Sequence, residues 1–181
     1  MSELFSIQLQ NRQQQGRDGV WLDLPTTTEQ VQAALRQIGI SSDNLQGLFI
    51  SGYFAEEEKR FAIPYNMVLA SNVDELNFLA SRLETLSTGE CAELNAALQV
   101  PQSELSSIGR ITDFPENVDY YVHLPDVRGP AQLGDYYLNR SGMVDMPEEW
   151  KGGIDTAQFG RYVAQQEQGV FTEYGYLVKS G

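Results

Sequence analysis

Over residues 5–9 the apolar Phe5, Ile7 and Leu9 alternate with Ser6 and Gln8, the period of a strand with one buried face. A polar, glutamine-rich loop then leads to V-W-L-D-L at residues 20–24, which reads as a second strand stopped by Pro25. Thr26 with Glu29 three residues on has the spacing of a capping box. It predicts a helix with Val31, Ala34, Leu35 and Ile38 on one side and Gly39 at its end. Residues 48–53 return as a third short strand. The charged run Glu56-Glu57-Glu58-Lys59-Arg60 reads as a solvated loop.

The period then changes. Ser71 with Asp74 predicts the start of a helix in which Val73, Leu76, Leu79, Ala80, Leu83 and Leu86 keep helical spacing. Ser87 with Glu90 caps another with Cys91, Leu94 and Leu98 inward, and a third short helix is expected over residues 103–108. Residues 119–124 read as a strand. Residues 130–140 read as a helix bringing Leu133, Tyr136 and Tyr137 together, and residues 173–179 as a closing strand.

Between those last two lies the stretch 143–169, M-V-D-M-P-E-E-W-K-G-G-I-D-T-A-Q-F-G-R-Y-V-A-Q-Q-E-Q-G. Pro147 suits the first turn of a short helix, Glu148 and Glu149 favour that end electrostatically, and Trp150 is expected to anchor it. Asp155 with Gln158 predicts a second helix, ended by Gly169. Its packing face would hold Phe159, Tyr162 and Val163, and its other faces would be wet and acidic. The whole predicts an α+β protein in three small domains: an α+β domain over residues 1–65, a helical one over 66–110 and a second α+β one over 111–181.

Charge changes this picture most. The 25 Asp and Glu against 12 Lys and Arg give a net −13, spread as −3, −4 and −6 over the three segments. Such a chain disfavours direct contact with nucleic acid or anionic lipid, and its natural partner is a basic surface. At about one charge per 1.7 Å of duplex axis, the net charge equals that of roughly 22 Å of DNA. A single cysteine allows no internal disulfide and suits a cytoplasmic setting, and no apolar run is long enough to span a membrane.

Catalytic patterns are thin. His123 stands alone, Cys91 has no neighbouring cation, and Gly16, Gly19, Gly152 and Gly153 lack the remainder of a phosphate loop. No cofactor or metal is expected. The charge leaves several readings open: a protein held like DNA in the basic groove of a DNA-handling enzyme, ordinary acidity for solubility, an acidic adaptor with a localised apolar patch, and an acidic hydrolase using His123 and a carboxylate in a concave pocket. The tyrosines Tyr120, Tyr121, Tyr136 and Tyr137 exceed what the last module can bury, which suggests a two-fold interface.

Several longer stretches carry a resemblance. They are V-W-L-D-L-P-T-T-T-E-Q-V-Q-A-A-L-R-Q-I-G at 20–39, I-P-Y-N-M at 63–67, L-N-F-L-A-S-R-L-E at 76–84, L-P-D-V at 124–127 and L-G-D-Y-Y-L at 133–138. With M-P-E-E-W and I-D-T-A-Q-F-G-R in the stretch above, they resemble the ArdA family of antirestriction proteins. The resemblance maps that family's antirestriction motif onto Pro147, Glu148, Asp155, Phe159 and Arg161. It implies a non-enzymatic, elongated, homodimeric mimic of bent B-form DNA that fills the DNA-binding groove of type I restriction-modification enzymes and protects incoming mobile DNA. The mimicking acids would be Asp74, Glu75, Glu84, Glu90, Glu93, Asp113, Glu116, Asp119, Asp126, Asp135, Asp145, Glu148, Glu149, Asp155 and Glu167. Where the family often has an acid directly before a tyrosine near the end of the first domain, this chain has Gly52-Tyr53-Phe54.

Overall fold

The computed structural model describes residues 4–14, 18–57, 61–100, 105–116 and 121–179. It is a mixed α and β chain that divides into two compact units. One comprises Met1–Leu86 with Glu104–Pro115, the other Ser87–Ser103 with Glu116–Gly181. Both cut across the expected boundaries at 65/66 and 110/111, because the helices of the middle segment pack in different units.

In the first unit, strands β1 (Phe5–Asn11), β2 (Val20–Leu24) and β3 (Leu48–Phe54) form an antiparallel sheet in the order β2-β1-β3. Phe5, Ile7, Leu9, Leu22, Leu24 and Ile50 are buried on its inner face, as the alternation requires. Helix α1 (Thr28–Gln37) packs beside β2. Its N-cap is Thr27, whose side chain accepts from the Gln30 amide, and not Thr26. Thr26 is diverted because its amide donates to Asn77 Oδ1 at 2.8 Å and its carbonyl accepts from Asn77 Nδ2 at 3.1 Å. Buried Asn11 joins the end of β1 to the end of α1, donating to the Ile38 carbonyl while its own oxygen accepts from the Gln13 amide, both at 2.9 Å. A buried amide satisfied on both sides costs little and fixes the register of the join.

A short helix not foreseen from the pattern, α2 (Tyr65–Leu69), follows Pro64 and packs on β3. Helix α3 (Val73–Leu83) starts one residue later than Ser71 implied, since Asn72 is the cap accepting from Glu75. Five of its six expected core positions are buried, and Leu86 lies beyond its end. Helix α5 (Ile108–Thr112), capped by Ser107, packs against α3. It begins where the expected helix over 103–108 was to end, and residues 103 and 104 of that expectation lie outside the described residues.

In the second unit, α4 (Thr88–Gln99) carries the full Ser87–Glu90 capping box. Leu94, Asn95, Ala96 and Ala97 are all buried, so the helix is covered on more than the single face expected. Strand β4 (Tyr121–Leu124) pairs with β6 (Gly175–Lys179), which pairs with β5 (Val170–Thr172), all antiparallel. Asp119 and Tyr120 of the expected strand lie outside the described residues. The expected closing strand is thus a hairpin, turning at Glu173-Tyr174. Helix α6 (Pro130–Asp135) runs into a wider π turn, Tyr136–Arg140, closed by the Ser141 amide on the Tyr136 carbonyl at 2.8 Å. Among the described residues no helix is long and apolar enough to cross a membrane.

Candidate functional site

The 143–169 stretch supplies α7 (Glu148–Lys151) and α8 (Thr156–Glu167). Helix α8 lies against α6, and two glycines set how closely. A Cβ on Gly134 would stand 1.9 Å from the Thr156 carbonyl oxygen, and one on Gly160 only 1.7 Å from that of Pro130. The helices therefore meet backbone to backbone, with no side chain between them at the crossing. Val127, Leu133, Ala164 and Tyr176 form the buried cluster alongside, and Tyr136, Tyr137, Val163 and Phe171 pack on it.

The N-terminal end of α8 is capped from within and its C-terminal end is tied to the core. Asp155 accepts from the Ala157 and Gln158 amides at 3.0 and 3.1 Å. At the other end Gln168, in the left-handed conformation at φ 58°, ends the helix where Gly169 was expected to. Gly169 is needed for space instead, since a Cβ there would meet the Tyr176 hydroxyl at 1.9 Å. Glu167 turns inward. One of its oxygens accepts from the Tyr137 hydroxyl and the other from the Tyr176 hydroxyl at 2.7 Å. Burial, then these bonds to the carboxylate, hold both phenols well above the usual tyrosine range.

The outer face of α8 is consequently less acidic than expected. Gln158, Arg161, Tyr162, Gln165 and Gln166 are exposed there, while Asp155 serves as cap and Glu167 as an internal acceptor. Tyr162, expected in the packing face, is 61% exposed, because Gly160 and Ala164 occupy the contact with α6 and turn position 162 away. Phe159 and Val163 are half-buried. Trp150 is 65% exposed and anchors nothing within the chain, as α7 is a four-residue turn with no buried residue. Within a single chain Trp150→Ala should therefore cost no more than about 0.5 kcal/mol, as at surface positions, and thermal unfolding at a concentration too low for association checks this.

The carboxylates expected to face a partner divide by exposure. Asp74, Glu75, Glu84, Asp113, Glu116, Asp126, Asp135, Asp145, Glu148, Glu149 and Asp155 are exposed. Glu90, Glu93 and Glu167 are partly buried, and Asp119 lies outside the described residues. Within the motif, Pro147 is the cap of α7 and Glu148 pairs with Lys151 at 3.0 Å. Arg161 is an exposed cation on α8. Of the tyrosines expected at an interface, Tyr136 and Tyr137 pack edge to face on each other and against the unit's own core, and Tyr121 is half-buried on β4. Tyr120 lies outside the described residues. Met143, Trp150, Tyr162 and Val122 are the large apolar side chains this unit leaves exposed among the described residues. No periodic signal marks them: Met143 lies in a loop, Trp150 and Tyr162 at positions read as packing, and Val122 within strand β4.

Neither catalytic alternative gains a constellation. His123 Nε2 lies 2.7 Å from the Tyr174 carbonyl and so acts as a donor bracing the β5–β6 turn. Cys91 is half-buried, and burial with the neighbouring Glu90 pushes its thiol up, away from nucleophilic use. Among the described residues no group of three or more His, Cys, Asp or Glu side chains could hold a metal ion. At Gly52 a Cβ would stand 3.1 Å from the Trp21 ring and 3.2 Å from the Gln8 side chain, so an acidic side chain there would need both to give by a few tenths of an ångström.

The model of a family described as Antirestriction protein (ArdA) matches residues 15–178. No curated protein matches the chain.

Proposed function

Because the chain belongs to the ArdA family of antirestriction proteins, we propose that it inhibits type I restriction-modification enzymes by occupying their DNA-binding groove as a mimic of duplex DNA. In the cytoplasm it would so protect incoming mobile DNA, without chemistry of its own. The observation that carries this reading is the net −13 together with exposed carboxylates in both units. A groove lined with Lys and Arg attracts such a surface by the electrostatics that hold DNA there.

Duplex DNA should compete for the site. The affinity should fall by at least about tenfold from low to physiological salt, as counterion release and screening demand. Titration against a type I enzyme at several ionic strengths tests both. Binding that is indifferent to salt, or that coexists with bound duplex, would overturn the proposal.

We further read the protein as a homodimer joined through the unit that carries the motif. The exposed Met143, Trp150, Tyr162 and Val122 support this better than Tyr136 and Tyr137, whose rings are already in the core. Sedimentation at micromolar concentration should give twice the 20.3 kDa chain mass, and less for the same Trp150→Ala protein.

A further inference from the structure

The first unit carries an open sheet edge beside a helix. In the order β2-β1-β3, strand β2 has β1 on one side and, among the described residues, no strand on the other. Alternate residues of an antiparallel edge strand turn both N–H and C=O outward, where they can pair with another chain. Edges are commonly blunted by lysine, proline or a bulge. Strand β2 has no lysine, proline or bulge within it and a single charge, the exposed Asp23, and its register with β1 runs unbroken from Phe5↔Leu24 to Leu9↔Val20 before Pro25 ends it. The irregularity of this sheet lies on the other side, between β1 and β3.

Along this edge runs a cleft of about 470 Å³, lined by β2, Pro25 and Thr26 on one side and by Gln30, Ala33, Ala34 and Gln37 of α1 on the other. That volume falls within the roughly 300–1,000 Å³ of ligand clefts. The helix residues follow the i, i+3, i+4, i+7 spacing of a single face, and its two alanines leave the room. At one end the cleft is closed, because the backbone of Thr26 is taken by the Asn77 side chain on both its N–H and its C=O.

We propose that this cleft receives an extended peptide segment of a partner protein, added to β2 as a fourth strand, with a basic residue opposite Asp23. Trp21 and Asp23 are both exposed and, two residues apart, lie on one face of the strand. Asp23 is held there by the Ser6 hydroxyl. On the other face Leu22 is buried and the alanines of α1 leave space for small apolar side chains. The segment recognised is thus one that alternates Lys or Arg with small apolar residues, and the net −13 of the chain repels an acidic one. This proposal is independent of the antirestriction reading.

The test uses the full chain and three blocked peptides of the length of β2: alternating valine and lysine, the same peptide N-methylated at alternate amides, and alternating valine and glutamate. The valine–lysine peptide should shift the amide resonances of β2 and α1 and slow exchange of the outward β2 amides. The N-methylated and acidic peptides should not. Asp23→Lys and Ala33→Phe, both at exposed positions, should each weaken binding by about tenfold. Equal binding of the N-methylated peptide would reduce the effect to general charge attraction and overturn the proposal. Resonance shifts confined to elements other than β2 and α1 would do the same. So would β2 protection that grows with protein concentration in the absence of peptide, which would assign the edge to a second copy.

Discussion

Gly160→Ala should destabilise the second unit by more than the roughly 3 kcal/mol at the upper end of ordinary overpacking. Its new methyl would lie 1.7 Å from the Pro130 carbonyl oxygen and 3.0 Å from the Gly134 nitrogen, and neither backbone atom can turn aside as a side chain would. Alanine is the better helix former by about 1 kcal/mol, which offsets only part of the collision. At about 4–8 °C per kcal/mol for a unit of this size, the melting temperature should fall by roughly 10 °C or more. Gly89→Ala is the matched control. It lies in the first turn of α4, its Cβ would meet nothing within 4 Å, and it should leave stability unchanged or raise it slightly. If Gly160→Ala melted like the parent, the backbone contact between α6 and α8 would be wrong.

Neutralising Asp145, Glu148, Glu149 and Asp155 together, to Asn or Gln, should weaken inhibition of a type I enzyme cumulatively. Each exposed ion pair contributes about 0.2–1 kcal/mol, so the four should cost on the order of 1–4 kcal/mol, and more at low salt. Asp155→Asn keeps a side-chain oxygen able to cap α8, so the loss should appear without a matching fall in melting temperature. Glu148→Gln alone, at a side chain 84% exposed, should be nearly silent. Inhibition abolished by that single change, in a protein that still folds, would point to a specific contact and against distributed charge.

The strands and capped helices were legible because their signals are local. Alternation from Phe5 to Leu9 placed β1, the run from Val20 to Leu24 has the bounds of β2, and Ser87 with Glu90 found the start of α4. Caps slipped by one residue at Thr27 and Asn72 because two adjacent residues could each cap, and a contact distant in sequence, Asn77 on Thr26, decided the first. What the pattern could not carry was packing. Trp150 and Tyr162 read as core from their hydrophobicity, yet the interface of α8 is built from glycine and alanine, which periodicity counts as weak. Glu167 read as one more surface acid, and only the fold brings the hydroxyls of Tyr137 and Tyr176 to it. In the candidate site, the motif positions rest on resemblance alone, while the roles of Gly134, Gly160 and Glu167 appear only in the folded chain.

The backbone crossing of α6 and α8 also bears on how this unit can open. Where side chains interlock, a helix pair can loosen one rotamer at a time, so partly parted states are populated. Two backbones in direct contact at Gly134 and Gly160 have no such intermediate steps at the crossing, and Glu167 ties the last turn of α8 to the hydroxyls of Tyr137 and Tyr176. Helix α8 should therefore detach as one cooperative piece or not at all, at a free energy close to that of unfolding the unit. The motif residues along it would then keep one fixed spacing for as long as the unit stays folded.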